Sequence, residues 1–198
     1  MRQIPIWRGG REHASLDLRV LRDYRGAPLA GVAAAPSLLV HRAVAQLRAA
    51  AEPGADLHAL WDAIEAAGRL LDTAELGGCS PEEHARLVTL ATGAPISDSR
   101  QALAELARGM ANVRDALRWQ VPGGTLEPFL TCRIEPAPGK SCGWVPVGRV
   151  LGFIAPSNHP AVHLTWVLAL AMGWVVAVRP GADDPFTPWR VLLALRAA

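Results

Sequence analysis

Paired cysteines, blocks of like charge and a glycine-rich dinucleotide fingerprint are all missing from this 198-residue chain. Its three cysteines, Cys79, Cys132 and Cys142, form no CxxC pair, so no thiolate zinc site is expected. Their odd number fits free thiols in a reducing cytoplasm, although Cys132 and Cys142 could approach each other across a hairpin. The 20 basic residues are scattered and the net charge is only +2, which excludes the basic stripe of a nucleic-acid binder. The opening MRQIPIWRGGREHASLDL lacks the continuous apolar run of a secretory signal. No GxGxxG follows any strand-like run, so a cofactor site, if present, is of another type. There is no tandem repeat and no low-complexity tract.

What the chain does have is apolar content: 51% hydrophobic residues and a mean hydropathy of +0.17, enough for one good core. Ala161 to Val178 is 18 largely uncharged residues, the length of a short membrane span. His163 lies inside that run, Gly173 divides it and its second half is strand-like, so a buried helix followed by a strand accounts for it, and no membrane partner is expected.

Four segments are expected. Residues 1–36 alternate short apolar runs with Gly and Pro turns and read as an N-terminal strand arm. Residues 37–120 are helical. Leu57, Leu60, Trp61, Ile64 and Leu71 share one apolar face, and Ser80-Pro81-Glu82-Glu83 has the form of a capping box. A helix near Asp98 carries Leu103, Leu106, Met110, Val113 and Leu117 at spacings of three and four. Residues 121–144, crowded with Gly and Pro, read as an extended linker. Residues 145–198 change character once more.

In that last segment Arg149–Ala155 is a short apolar strand stopped by Pro156, and Pro160 suits the first turn of a helix running to about Met172. Gly173 ends the helix, and Trp174–Val178 is a second buried strand closed by Arg179-Pro180-Gly181. Two apolar strands joined by a helix predict a parallel, right-handed βαβ unit. Both strands then end at one edge, where open α/β sheets bind ligands, so Pro156-Ser157-Asn158 and Arg179-Pro180-Gly181 should lie side by side. His159 and His163 are four apart with no glutamate between them, which predicts no metal site. Asp183 and Asp184 are accounted for by helix initiation.

PVGRVLGFIAPSNHP, followed about 20 residues later by VVAVRPGADDPFTP, resembles the aldehyde dehydrogenase superfamily, whose patterns are close to PxGVVGxIxPWNxP and VVLKPSExTPLT. Upstream, LVTLATGAPISDSRQALAELARGMANVRDAL is similar to that family's LETLETGKPxxEA helix pair, and the likeness extends over roughly residues 55–198. Pro-Ser-Asn in place of Pro-Trp-Asn, and Arg179 in place of the family's lysine, point to a divergent branch nearer the acyl-CoA reductases. The implied fold class is α/β: an N-terminal strand arm and helices, then the first βαβ unit of a Rossmann-like cofactor domain, apparently incomplete. The implied activity is NAD- or NADP-dependent oxidation of an aldehyde or reduction of an acyl thioester, in a cytoplasmic homo-oligomer that residues 121–144 help to assemble.

The resemblance also assigns roles. Asn158 would donate its amide to the thiohemiacetal oxygen; on the residues alone it is a turn residue satisfying backbone groups. Ile154, Ala155, Pro156 and Ser157 would wall the nicotinamide side. Arg179, with Pro180, Gly181 and Ala182, would meet the adenosine ribose. Ala182 stands where the family has a glutamate, which tilts the expectation towards NADP. No cysteine falls where the family keeps its nucleophile, and the glutamate base and pyrophosphate loop are expected beyond Ala198. The chain then reads as the N-terminal part of a longer enzyme, or as a truncated remnant acting as a binding or assembly module.

Overall fold

The computed structural model describes residues 1–50, 56–121, 123–132, 134–137, 140–142, 147–148 and 150–198. The expected strand start at Arg149, the Cys142 side chain and parts of the 121–144 linker lie outside the described residues. The N-terminal arm has five short strands: β1 (Arg2–Ile4), β2 (Ile6–Arg8), β3 (Arg11–His13), β4 (Leu18–Arg22) and β5 (Pro28–Ala33). Strand β5 is central, parallel to β1 and antiparallel to β4. Strands β2 and β3 form a separate hairpin, whose two-residue turn needs positive φ at both Gly9 and Gly10 (56° and 74°). Ile4, Leu21 and Ala30 are buried against Cys79, Leu87, Val88, Ala91 and Phe186, so the arm shares a core with the helices behind it.

Helices follow in the order α1 (Ser37–Ala50), α2 (Leu57–Leu71), α3 (Pro81–Thr92), α4 (Ile96–Ala111), α5 (Val113–Arg118) and α6 (Glu127–Thr131). The start predicted at Ser80 is present: its side chain accepts the Glu83 amide at 3.1 Å, and Gly93 at φ 77° ends α3. Glu83 instead pairs with Arg86, so only half of the capping box forms. The predicted apolar face of α2 is correct, with Trp61, Ile64 and Leu71 fully buried and Leu57 and Leu60 packed beside them. The predicted helix near Asp98 starts two residues earlier, at Ile96, and is interrupted at Asn112. The Asn112 side chain donates to the Arg108 carbonyl at 2.8 Å, competing with the helix ladder, so Val113 and Leu117 fall in α5. Both still reach the main core.

A short antiparallel pair, β6 (Ile134–Ala137) and β7 (Lys140–Cys142), leads to β8 (Val150–Ile154), α7 (Leu164–Ala171), β9 (Val175–Arg179) and α8 (Phe186–Ala197). The expected helix opens as a 3₁₀ turn over Pro160–His163, a frequent form of helix N-terminus. Trp174 does not join the second strand, because its amide still bonds the Ala169 carbonyl behind Gly173 (φ 88°). Strands β8 and β9 are parallel, with Val150 opposite Val175 and Ile154 opposite Arg179. Phe153, Val176 and Val178 pack towards the main core, and α1 lies beside both strands. No helix among the described residues is long and apolar enough to cross a membrane.

Helix α2 is the hub. It meets α4 so closely at Gly68 that a Cβ there would strike the Ala111 amide and lie 2.8 Å from the Ala107 carbonyl. Helix propensity alone would favour alanine by about 1 kcal/mol. Overpacking against rigid backbone should outweigh it, so Gly68→Ala is expected to lower unfolding stability by about 1–3 kcal/mol in urea titrations. A gain in stability would show that α2 and α4 are not in backbone contact.

Candidate functional site

The two parallel strands end together. The Ala155 amide donates to the Arg179 carbonyl at 2.9 Å, extending the pairing one residue before both chains turn away. The turns are joined: the Asp183 amide donates to Ser157 Oγ at 2.9 Å, across 26 residues. Gly181 is buried between them, and a Cβ there would come 2.5 Å from Ser157 Oγ and 2.7 Å from the Pro156 carbonyl. Only glycine permits that approach. From the N-terminal arm, Arg19 Nη2 donates to the Ala182 carbonyl at 2.6 Å.

Asp184 turns inward. It is 3% exposed and accepts the Thr187 amide at 3.0 Å and the Thr187 hydroxyl at 2.6 Å, which caps the start of α8. Burial pushes its carboxyl up, against the lowering effect of those hydrogen bonds. His84 Nε2 lies 3.4 Å from the Thr187 hydroxyl, whose proton is already committed to Asp184, so the ring donates there. Burial, with Arg190 nearby, pushes His84 down to about 3, which keeps the imidazole neutral. Helix initiation therefore accounts for Asp184 and leaves Asp183 exposed at the edge.

The predicted site residues divide into two groups. Ile154 (73% exposed), Pro156, Asn158, Arg179 and Ala182 face solvent at this edge. Ala155 and Gly181 are buried, while Ser157 and Pro180 are half-buried. Ala155, Ser157 and Gly181 build the edge. The side chains of Asn158 and Arg179 have no hydrogen-bond or ionic partner among the described residues. Arg19 and His84 carry no local signal that sequence reading could use, because each acts on a residue far along the chain, whereas Thr187 acts on Asp184 three residues before it.

Remaining candidates fall elsewhere. His159 Nδ1 accepts the Ala161 amide at 3.2 Å and caps the 3₁₀ turn, whereas His163 is buried with Nδ1 accepting the Trp166 indole N–H at 2.9 Å. His159 is exposed and His163 buried, so the two rings do not share a surface. Burial pushes His163 down to about 4. No cluster of three His, Cys, Asp or Glu among the described residues could hold a metal. Cys79 lies in the arm's core, and burial pushes its thiol up, the reverse of an activated nucleophile. Cys132 is exposed and free, at the end of α6.

The fold is shared with large solved enzymes. Succinate-semialdehyde dehydrogenase from Burkholderia pseudomallei matches 98% of this chain at 18% identity, with a TM-score of 0.74, over 39% of its own length. A betaine aldehyde dehydrogenase point mutant from Staphylococcus aureus, solved with NAD+, matches 96% at 19% identity and TM-score 0.71, over 38% of its length. NADP-dependent glyceraldehyde-3-phosphate dehydrogenase from Bacillus halodurans, complexed with NADP, matches the whole chain at 15% identity and TM-score 0.73, over 41% of its length. The present chain thus spans about two fifths of these structures. No curated protein matches it. The sequence model of the aldehyde dehydrogenase family matches residues 11–198, which include both edge-forming loops and the helices behind them. By that match, in agreement with the α/β fold, the chain belongs to the aldehyde dehydrogenase family.

Proposed function

We propose that this chain forms the cofactor edge and supplies the oxyanion donor of an NAD(P)-dependent oxidoreductase acting on an aldehyde or an acyl thioester. One observation carries the reading: an exposed amide (Asn158) and an exposed guanidinium (Arg179), neither with a partner among the described residues, stand at one end of a parallel strand pair whose loops are joined by Ser157 and Asp183. Open α/β sheets bind ligands at that end. The residues present suit a dinucleotide, with Ile154 and Pro156 offering an apolar wall and Arg179 a fork for ribose or phosphate beside the small Ala182. When bound, a nicotinamide cofactor supplies the hydride chemistry. Asn158 holds an N–H donor where negative charge develops on the carbonyl oxygen. Ala155, Ser157 and Gly181 keep the edge rigid. Neither described cysteine belongs to the edge: Cys79 is buried, with its thiol pushed up by burial, and Cys132 lies at the end of α6. Within this reading residues 1–36, 37–120 and 145–198 are strand arm, helical segment and start of the cofactor domain. Residues 121–144 serve assembly of a cytoplasmic homo-oligomer.

A non-catalytic binding or assembly module is the second reading, favoured by that same lack of an activated thiol. Turnover of an aldehyde panel by the full-length protein separates the two. In an active protein, Asn158→Ala should lower kcat on the order of a hundredfold and leave cofactor affinity nearly unchanged, because the donor matters only as charge develops. A kcat within about threefold of wild type would reduce Asn158 to a turn residue.

NADP is favoured over NAD. Arginine presents a planar fork suited to a 2′-phosphate, Ala182 removes one repelling carboxylate and Asp184 is committed to the α8 cap, so Asp183 is the one exposed carboxylate of this turn that opposes the preference. The expected outcome is a higher kcat/KM with NADP that falls in Arg179→Ala. A tenfold or greater preference for NAD, unaffected by that substitution, would refute the role given to Arg179.

A further inference from the structure

The loop after β9 is held by more than its own βαβ unit. The peptide group between residues 182 and 183 is planar, so fixing its two polar atoms fixes its orientation. Both are held: the Ala182 carbonyl accepts from Arg19 Nη2 at 2.6 Å, and the Asp183 amide donates to Ser157 Oγ at 2.9 Å. Ser157 belongs to the neighbouring turn, whereas Arg19 lies on β4, 163 residues away in sequence. Strand β4 is itself fixed by its pairing with β5, with Arg19 opposite Val32. The grip therefore links the N-terminal sheet directly to the edge. Ala182 and Asp183 are both exposed there, so the angle of this one peptide sets how they are presented to a ligand.

We propose that Arg19 is a positioning residue for the nucleotide-binding loop: with Ser157 it clamps the peptide joining Ala182 to Asp183, and so sets the affinity for the adenosine half of a dinucleotide. This rests on the cofactor reading above. Arg19 acts through the backbone and not on the ligand, so its loss should weaken all adenosine ligands alike.

Two measurements on the full-length protein test it, one independent of any ligand. Amide hydrogen exchange should show the Asp183 region opening faster in Arg19→Ala than in wild type, by roughly threefold or more, with Arg19→Lys restoring most of the protection. Calorimetric titration with 5′-AMP and with adenosine 2′,5′-bisphosphate should show both dissociation constants rising by about threefold to tenfold in Arg19→Ala and returning within about twofold of wild type in Arg19→Lys. Unchanged exchange in Arg19→Ala would overturn the clamp. Faster exchange with unchanged affinities would overturn the positioning role. Loss confined to the bisphosphate would overturn it too, since Arg19 would then contact the phosphate itself. If wild type binds neither nucleotide, the cofactor reading fails and the positioning role falls with it, while the exchange result still decides the clamp.

Discussion

Arg190 holds the molecule together at its most expensive point. The residue is 3% exposed, and its guanidinium donates to three backbone carbonyls: Leu71 at 2.7 Å, Ala74 at 2.7 Å and Cys79 at 2.8 Å. A buried cation is costly unless every donor is used and opposing dipoles face it. Here the last carbonyl of α2 and the loop beyond it serve that purpose, at the negative end of the helix. The same three bonds fix where α8 lies against α2 and against the loop leading to Ser80. Because Asp184 caps α8 and Gly181 precedes it by only a few residues, the position of α8 dictates where the loop after β9 emerges.

A second long-range bond places the other half of the unit. Trp61, in the second turn of α2, donates its indole N–H to the Ala171 carbonyl at 2.7 Å, closing the end of α7 just before the turn into β9. Helix α2 thus anchors α7 through Trp61 and α8 through Arg190, and the strands attached to them are brought to their register as a consequence. The edge carrying Asn158 and Arg179 needs no support of its own beyond Ser157, Gly181 and Arg19. Rigidity is built behind the edge, and the amide and guanidinium stay exposed with no partner among the described residues.

Much of this was legible in the sequence. Local chemistry identifies the Ser80 cap, the glycine at 173 that ends a helix, the apolar face of α2 and the two strands whose loops meet. Each of those signals lies within a few residues of its effect. The break at Asn112 was not legible, because the apolar spacing runs on through α5 and the break is marked only by the Asn112 side chain, which shares the Arg108 carbonyl with its own amide. Nor was the division of labour between Asp183 and Asp184, which depends on Thr187 and on His84 from α3. Arg19 and Arg190 were beyond reach for the same reason: their partners are 111 to 163 residues away, and no pattern marks either arginine as different from its neighbours.

The central claim, that a dinucleotide sits on the edge formed by β8 and β9, is most directly tested by mapping backbone amide shifts in the isotopically labelled full-length protein during titration with NADP. Shifts should concentrate at Ala155, Ser157, Asn158 and His159 and at Arg179 and Gly181 to Asp183. Shifts confined to another surface would contradict it. The alternative to watch is the cleft of about 620 Å³ beside β1 and α8, lined by Arg2, Glu12, Gly77, Trp189 and Leu193.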